Sequence, residues 1–116
     1  MPRALIGKFG AITRLGVIAV LVDGAVECVA EQEPNHDLLV RLDRSQPDAV
    51  LIDGDDGCTG SLAEAVRGRR PEVTVIECSN EQLKMRVLPA GADRHPYETT
   101  LSAAELVGAV RAAATR

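Results

Sequence analysis

The sequence predicts a doubly wound α/β domain, in which short apolar strands alternate with amphipathic helices along 116 residues. Three observations predict it. Residues 49–52, Ala-Val-Leu-Ile, form a continuous apolar run between Pro47-Asp48 and a Gly-rich acidic loop, the pattern of a strand buried on both faces. Residues 73–78, Val-Thr-Val-Ile-Glu-Cys, repeat that β-branched character. Around these runs, apolar residues recur at helical spacing behind residues suited to capping. Short connections between such units lead to a parallel sheet with right-handed crossovers and helices on both faces.

Each element follows in order. Residues 3–7 predict a first strand. Ile12, Leu15, Ile18, Ala19 and Val22 keep a helical period, predicting a helix over about 11–22. Residues 25–30 predict a weaker strand near an edge. Pro34-Asn35 makes a turn with a natural cap, and Leu38, Leu39 and Leu42 form the buried stripe of a second helix. The strand at 49–53 follows. Ser61 and Glu64 are spaced as a capping box, opening a third helix that runs to about residue 69 before Pro71. After the strand at 73–78, Ser79-Asn80 can cap a short fourth helix closed by Pro89 and Gly91.

Residues 92–100 have poor strand propensity and contain Pro96, so a fifth strand is expected to be degraded or missing. Ser102 and Glu105 form a second capping box, with Leu101 and Leu106 as a hydrophobic staple. They open a last helix running to about residue 113 and burying Leu106, Val107 and Val110.

Composition narrows the function. An apolar content of 46% supports a globular core, and no apolar run is long enough to span a membrane. The first residues lack the apolar segment of a signal peptide, which predicts a cytoplasmic protein. Formal charge is −4, and the cluster Arg67, Arg69 and Arg70 sits at a helix end, where it complements the dipole. Direct nucleic-acid binding therefore lacks its electropositive footprint. With only Phe9 and Tyr97 as aromatics, the core is aliphatic and no base-stacking platform exists.

Cys28, Cys58 and Cys78 match no zinc spacing and read as reduced thiols, although Cys58 and Cys78 belong near adjacent strand ends. His36 and His95 have no ligand partners at metal spacing. Gly54, Gly57 and Gly60 do not form a phosphate loop, because Asp55 and Asp56 repel phosphate and no Lys-Ser/Thr follows. The sequence points to no cofactor and to no enzymatic activity.

One position stands out. Asp53 falls where the central strand ends, and in open α/β sheets ligands gather outside the carboxyl ends of the strands. The same residue is equally suited to starting the turn that follows.

Residues 4–21 (with Arg14 and Gly16), Val-Glu-Cys-Val-Ala-Glu at 26–31, Pro-Asp-Ala-Val-Leu-Ile-Asp at 47–53 and Gly-Ala-Asp at 91–93 carry a family likeness. In this order and spacing the chain resembles a response-regulator receiver domain. It is most similar to receivers that precede a LuxR/NarL-type helix-turn-helix. The resemblance implies a flavodoxin/CheY-like parallel sheet in the order 2-1-3-4-5. It puts Asp53 at the phospho-acceptor position and Ser79 at the hydroxyl that follows the phosphoryl group. It also implies signal transduction and transcription regulation, a homodimer, and a helix-turn-helix output or a protein partner.

The chemical positions depart from that family. Lys8 and Phe9 stand where an acid pair would hold Mg²⁺. The cation at the end of strand five falls on Glu98 or His95 and is lost either way. Asp55, Asp56 and Gly57 occupy a loop that usually carries a Pro. Without metal ligands and with a competing ammonium, the charge of an incoming phosphodonor is not neutralised.

The expectation is an atypical, phosphorylation-independent receiver, controlled by dimerisation or by a small-molecule ligand or partner near Asp53. Lys8 is expected to pair with Asp53, against the alternative that it points to solvent. Two other readings remain. In one, the chain accepts phosphate on Asp53 with Asp55 or Asp56 as substitute metal ligands. In the other, it is a stand-alone interaction module.

Overall fold

The computed structural model describes residues 2–7, 9–29, 38–55, 59–91 and 95–115. Lys8, Pro34, Asn35, His36, Asp56 and Cys58 lie outside them, and so do the pairing expected for Lys8 and the cap expected at Asn35.

The elements run β1 (Arg3–Ile6), α1 (Ala11–Asp23), β2 (Glu27–Val29), α2 (Leu38–Ser45), β3 (Ala49–Asp53), α3 (Thr59–Arg69), β4 (Thr74–Ser79), β5 (Lys84–Leu88), β6 (Tyr97–Thr100) and α4 (Ala103–Ala114). Among the described residues the strands form one six-stranded mixed sheet in the order β2-β1-β3-β4-β5-β6. β1 pairs in parallel with β2 and β3, and β3 pairs in parallel with β4. The fold is α/β, with helices on both faces as expected.

Strand β3 lies at the centre. Ala49 and Leu51 face one core, shared with Val17 and Leu21 of α1 and with Leu106 and Val110 of α4. Val50 and Ile52 face the other, shared with Leu42 of α2 and Ala63 and Val66 of α3. All four side chains of this apolar run are buried, as its lack of alternation predicts.

The far half of the sheet corrects the expected all-parallel 2-1-3-4-5 arrangement. β5 is antiparallel to β4, and β6 is antiparallel to β5. The fourth helix expected after Ser79 is absent among the described residues, and its place is taken by a hairpin. Its cap does form, for the Ser79 hydroxyl accepts from the Gln82 amide at 3.2 Å. The helix does not propagate, because Leu83 takes a left-handed φ of 53° and turns the chain back. Residues 84–88 then alternate, with Met85 and Val87 buried and Lys84 and Arg86 exposed, which is the period of a strand. The strand expected to be degraded or missing exists as β6, an exposed edge with Pro96 just ahead of it.

Smaller corrections concern the helices. α1 forms over the expected residues; Val17 and Leu21 are its buried side chains, whereas Ile12, Leu15, Ala19 and Val22, which carry the period, are exposed. Ser61 lies inside α3 and is not its cap, since that helix begins at Thr59. In α4, by contrast, Ser102 accepts from the Glu105 amide at 3.2 Å, and Leu101 and Leu106 pack against the same core. Val107 is only partly buried.

Two backbone positions give opposite expectations for a change of one methyl group. Ala25 ends the turn after α1 at φ 61°, with the Val26 amide reaching back to the Leu21 carbonyl, an arrangement that glycine fills without steric cost. Ala25→Gly is expected to raise stability by about 0.5–1 kcal/mol in urea titration, after the added freedom of the unfolded chain is counted. Gly7 sits just beyond β1, and a Cβ there would come within 2.8 Å of the Leu51 carbonyl oxygen. Gly7→Ala is expected to lower stability by about 2 kcal/mol, because backbone must move to admit it.

Candidate functional site

The carboxyl ends of β3 and β4 meet where Asp53 stands in register with Cys78. The chain leaving β3 is stitched to β4 at once, for the Gly54 amide donates to the Cys78 carbonyl at 2.7 Å. Asp53 Oδ1 accepts from the amide of Asp55 at 2.9 Å, the Asx turn that was the plainer expectation for this residue. That turn aims the next acid across the sheet end.

Asp55 is the hub. One oxygen, Oδ1, accepts the Ser79 hydroxyl at 2.7 Å. The other, Oδ2, accepts the backbone amides of Asn80 at 2.9 Å and Glu81 at 3.3 Å. The same Ser79 oxygen accepts from Gln82, so one carboxylate and one hydroxyl organise the whole β4–β5 turn. Donation by the Ser79 hydroxyl does most to hold the Asp55 carboxyl below the usual carboxylate range; desolvation opposes it, and the amides of Glu81 and Asn80 add to the lowering.

Of the residues singled out from sequence, Asp53, Asp55 and Ser79 come together. Phe9 does not join them as a polar group. It is partly buried and packs on the core shared by α1 and α4. His95 is exposed ahead of β6. Glu98 lies on β6 in register with Arg86, which in turn is in register with Glu77, and Arg86 Nη1 lies 3.5 Å from Glu77 Oε1. These groups rim a shallow hollow of about 200 Å³ that also includes Gly54, Ser79 and Lys84. Lys8 and Asp56 cannot be placed, since they lie outside the described residues.

Cys78 is buried beside this cluster. Burial first, and the charge of Asp53 second, push its thiol up to about 12, so it remains protonated at neutral pH and is a poor nucleophile. Two arginines of the cluster at and just past the end of α3 are engaged within the chain. Arg69 and Arg70 both pair with Asp43 of α2, Arg70 at 3.3 Å, which supports packing of the two helices.

Sequence reasoning passed over two contributors. Arg41 of α2 donates to the Ile6 carbonyl at 2.9 Å, placing a guanidinium at the carboxyl end of β1. The amides of Asn80 and Glu81 carry no side-chain signal at all. Asp55 itself was legible as an acid near the site, but its partners arise only once β3 and β4 lie side by side.

The lowered pKa of Asp55 sets a direction with pH. The carboxylate stabilises the turn above its unfolded value, near pH 4, and that contribution is lost as pH falls through the lower folded value. Amide NMR is expected to show Asn80 and Glu81 losing their downfield shifts and exchange protection below about pH 4, while Met85 and Val87 keep theirs. Asp55→Asn should reproduce the acid spectrum at neutral pH. Amides of residues 80–81 that ignore both changes would mean that the carboxylate does not hold the turn. In comparisons with known proteins, no protein-family model matches the chain, and no curated protein matches it.

Proposed function

We propose that the chain is an atypical receiver-like regulatory module that works without phosphorylation, in the cytoplasm, in the control of transcription. The observation that carries this reading is the triple engagement of Asp55 by the Ser79 hydroxyl and the Asn80 and Glu81 amides. In the family that the sequence resembles, the hydroxyl at the end of strand four is drawn toward a phosphoryl group on the acceptor acid. Here that hydroxyl already has an anionic partner supplied by the chain itself.

The physical argument extends to the rest of the site. A phosphoryl group on Asp53 would have to compete with Asp55 for Ser79. It would also bring more negative charge beside an existing carboxylate, which is unfavourable unless a cation intervenes. Three of the roughly four acceptor sites of the Asp55 carboxylate are already engaged, which leaves it little capacity for a metal. The resemblance puts the family's lysine at Glu98 or His95, and neither is a lysine; Glu98 lies on β6 and His95 just ahead of it. No helix among the described residues is long and apolar enough to cross a membrane.

Such a module acts by changing what it binds. The element suited to having two states is the turn at 80–83, because one carboxylate fixes it and all four of its residues are exposed. A ligand or partner that prefers one arrangement of this turn shifts its population in proportion to the difference in affinity, and equal affinity shifts nothing. The output is a helix-turn-helix domain or a protein partner, reached through self-association or through contacts at this end of the sheet.

The test is a titration of Mg²⁺, with and without beryllofluoride, followed by amide NMR at Gly54, Asp55, Ser79 and Asn80. The expected result is no saturable shift in either arm. Saturable shifts at these residues would overturn the reading and make Asp53 a working phospho-acceptor with a rebuilt metal site.

A further inference from the structure

A second hollow, of about 220 Å³, lies between α4 and the antiparallel half of the sheet. The side chains of α4 explain it. Leu106 and Val110 reach the core that Ala49 and Leu51 of β3 enter, whereas Ala109, Ala112 and Ala113 line the hollow. Facing these methyl groups are Val87 of β5 and Tyr97 of β6, which stand in register. Alanine is too short to cover the ring, and Tyr97 stays 48% exposed.

The hollow holds one deep polar group. Thr74, the first residue of β4, lines it and is only 5% exposed. Its hydroxyl accepts the Ala90 amide at 3.3 Å, which occupies one lone pair. Among the described residues that hydroxyl donates to no acceptor, so its hydrogen is unused. A buried donor gains from a partner, and leaving it unmatched is costly. No charged side chain lines the walls.

We propose that this hollow binds a neutral small molecule with an apolar body and one hydrogen-bond acceptor. The acceptor takes the Thr74 hydrogen, and the body lies between the alanines of α4 and the ring of Tyr97. Apolar walls with a single convergent polar group are the usual composition of a small-molecule site. Volume sets the size. A cavity of about 150 Å³ accepts benzene, so this one accepts roughly seven to nine non-hydrogen atoms. A carboxylate or an ammonium would give up water here without meeting an opposite charge.

The hollow is separate from the acidic cluster. Thr74 opens β4 and Ser79 closes it, which puts the two residues about 17 Å apart along the strand. The proposal therefore stands or falls independently of the receiver-like reading.

The experiment is an NMR titration of the full chain with cyclohexanone, a neutral ring with one acceptor. Toluene, a ring of similar size without a strong acceptor, is the control. Saturable shifts are expected at Thr74, Val87, Ala90 and Ala113 at about 1 mM cyclohexanone, with Asp55 and Asn80 unmoved. Thr74→Val keeps the shape and removes the donor. It should weaken cyclohexanone about tenfold and toluene less than about twofold. Ala112→Phe fills the hollow from an exposed position, and should abolish both responses with an unchanged circular dichroism spectrum.

A parent chain without saturable shifts at the hollow overturns the proposal. Equal losses for the two probes in Thr74→Val overturn it as well, because the hydroxyl would then select nothing. Should that variant fail to fold, cyclohexanone binding by Ala112→Phe as tight as the parent's has the same force.

Discussion

Burial of β3 on both faces is the constraint from which the rest of the arrangement follows. A strand with no solvent face needs a helical layer above and below, and pairing partners on both edges. α1 with α4 and α2 with α3 supply the layers, while β1 and β4 supply the edges. The first position along β3 that can carry a charge is where it emerges, at Asp53. The site is thus located by the core: the chain becomes polar where the sheet ends, and the neighbouring strand delivers Ser79 to the same rim.

The polar end has its own logic. An exposed carboxylate is ordinarily a weak organiser, because water competes for it. Asp55 differs in that its donors come from one tight turn and converge on both oxygens. Charge-assisted bonds of this kind are short and directional. They hold the turn by a local interaction that the chain supplies itself. The result is a turn whose geometry is set by bonds within the chain.

How much of this was legible in the sequence depends on how local the deciding interaction is. Runs such as Ala49–Ile52, and the capping box at Ser102, declare themselves because burial or hydrogen bonding within a few residues settles them. The β4–β5 hairpin was hidden because its first signal, Ser79 as a cap, is locally true and then overruled. Leu83 in a left-handed conformation and the pairing of residues 84–88 with β4 decide the outcome, and both belong to the assembled sheet. The alternation of Met85 and Val87 with Lys84 and Arg86 was the available clue. In α1 the period was clear, but with apolar residues on two sides no sequence pattern could say which side faces inward. At the site, the pairing of Asp53 with a turn was legible, whereas Asp55 found its partners only across two strands.

The mixed sheet also bears on the order in which the chain can assemble. In its antiparallel half, β4 is joined to β5 through the turn at 80–83, and β5 to β6 through a connection without a helix of its own among the described residues. In its parallel half, β1 reaches β2 only across α1, and β3 reaches β4 only across α3. Closing a short loop costs less chain entropy than closing a long one, and local pairings form faster than distant ones. The meander at the carboxyl side therefore offers a nucleus that does not wait for the crossovers. The carboxylate that ties its first turn to β3 then joins the quickly formed half of the sheet to the slowly formed half.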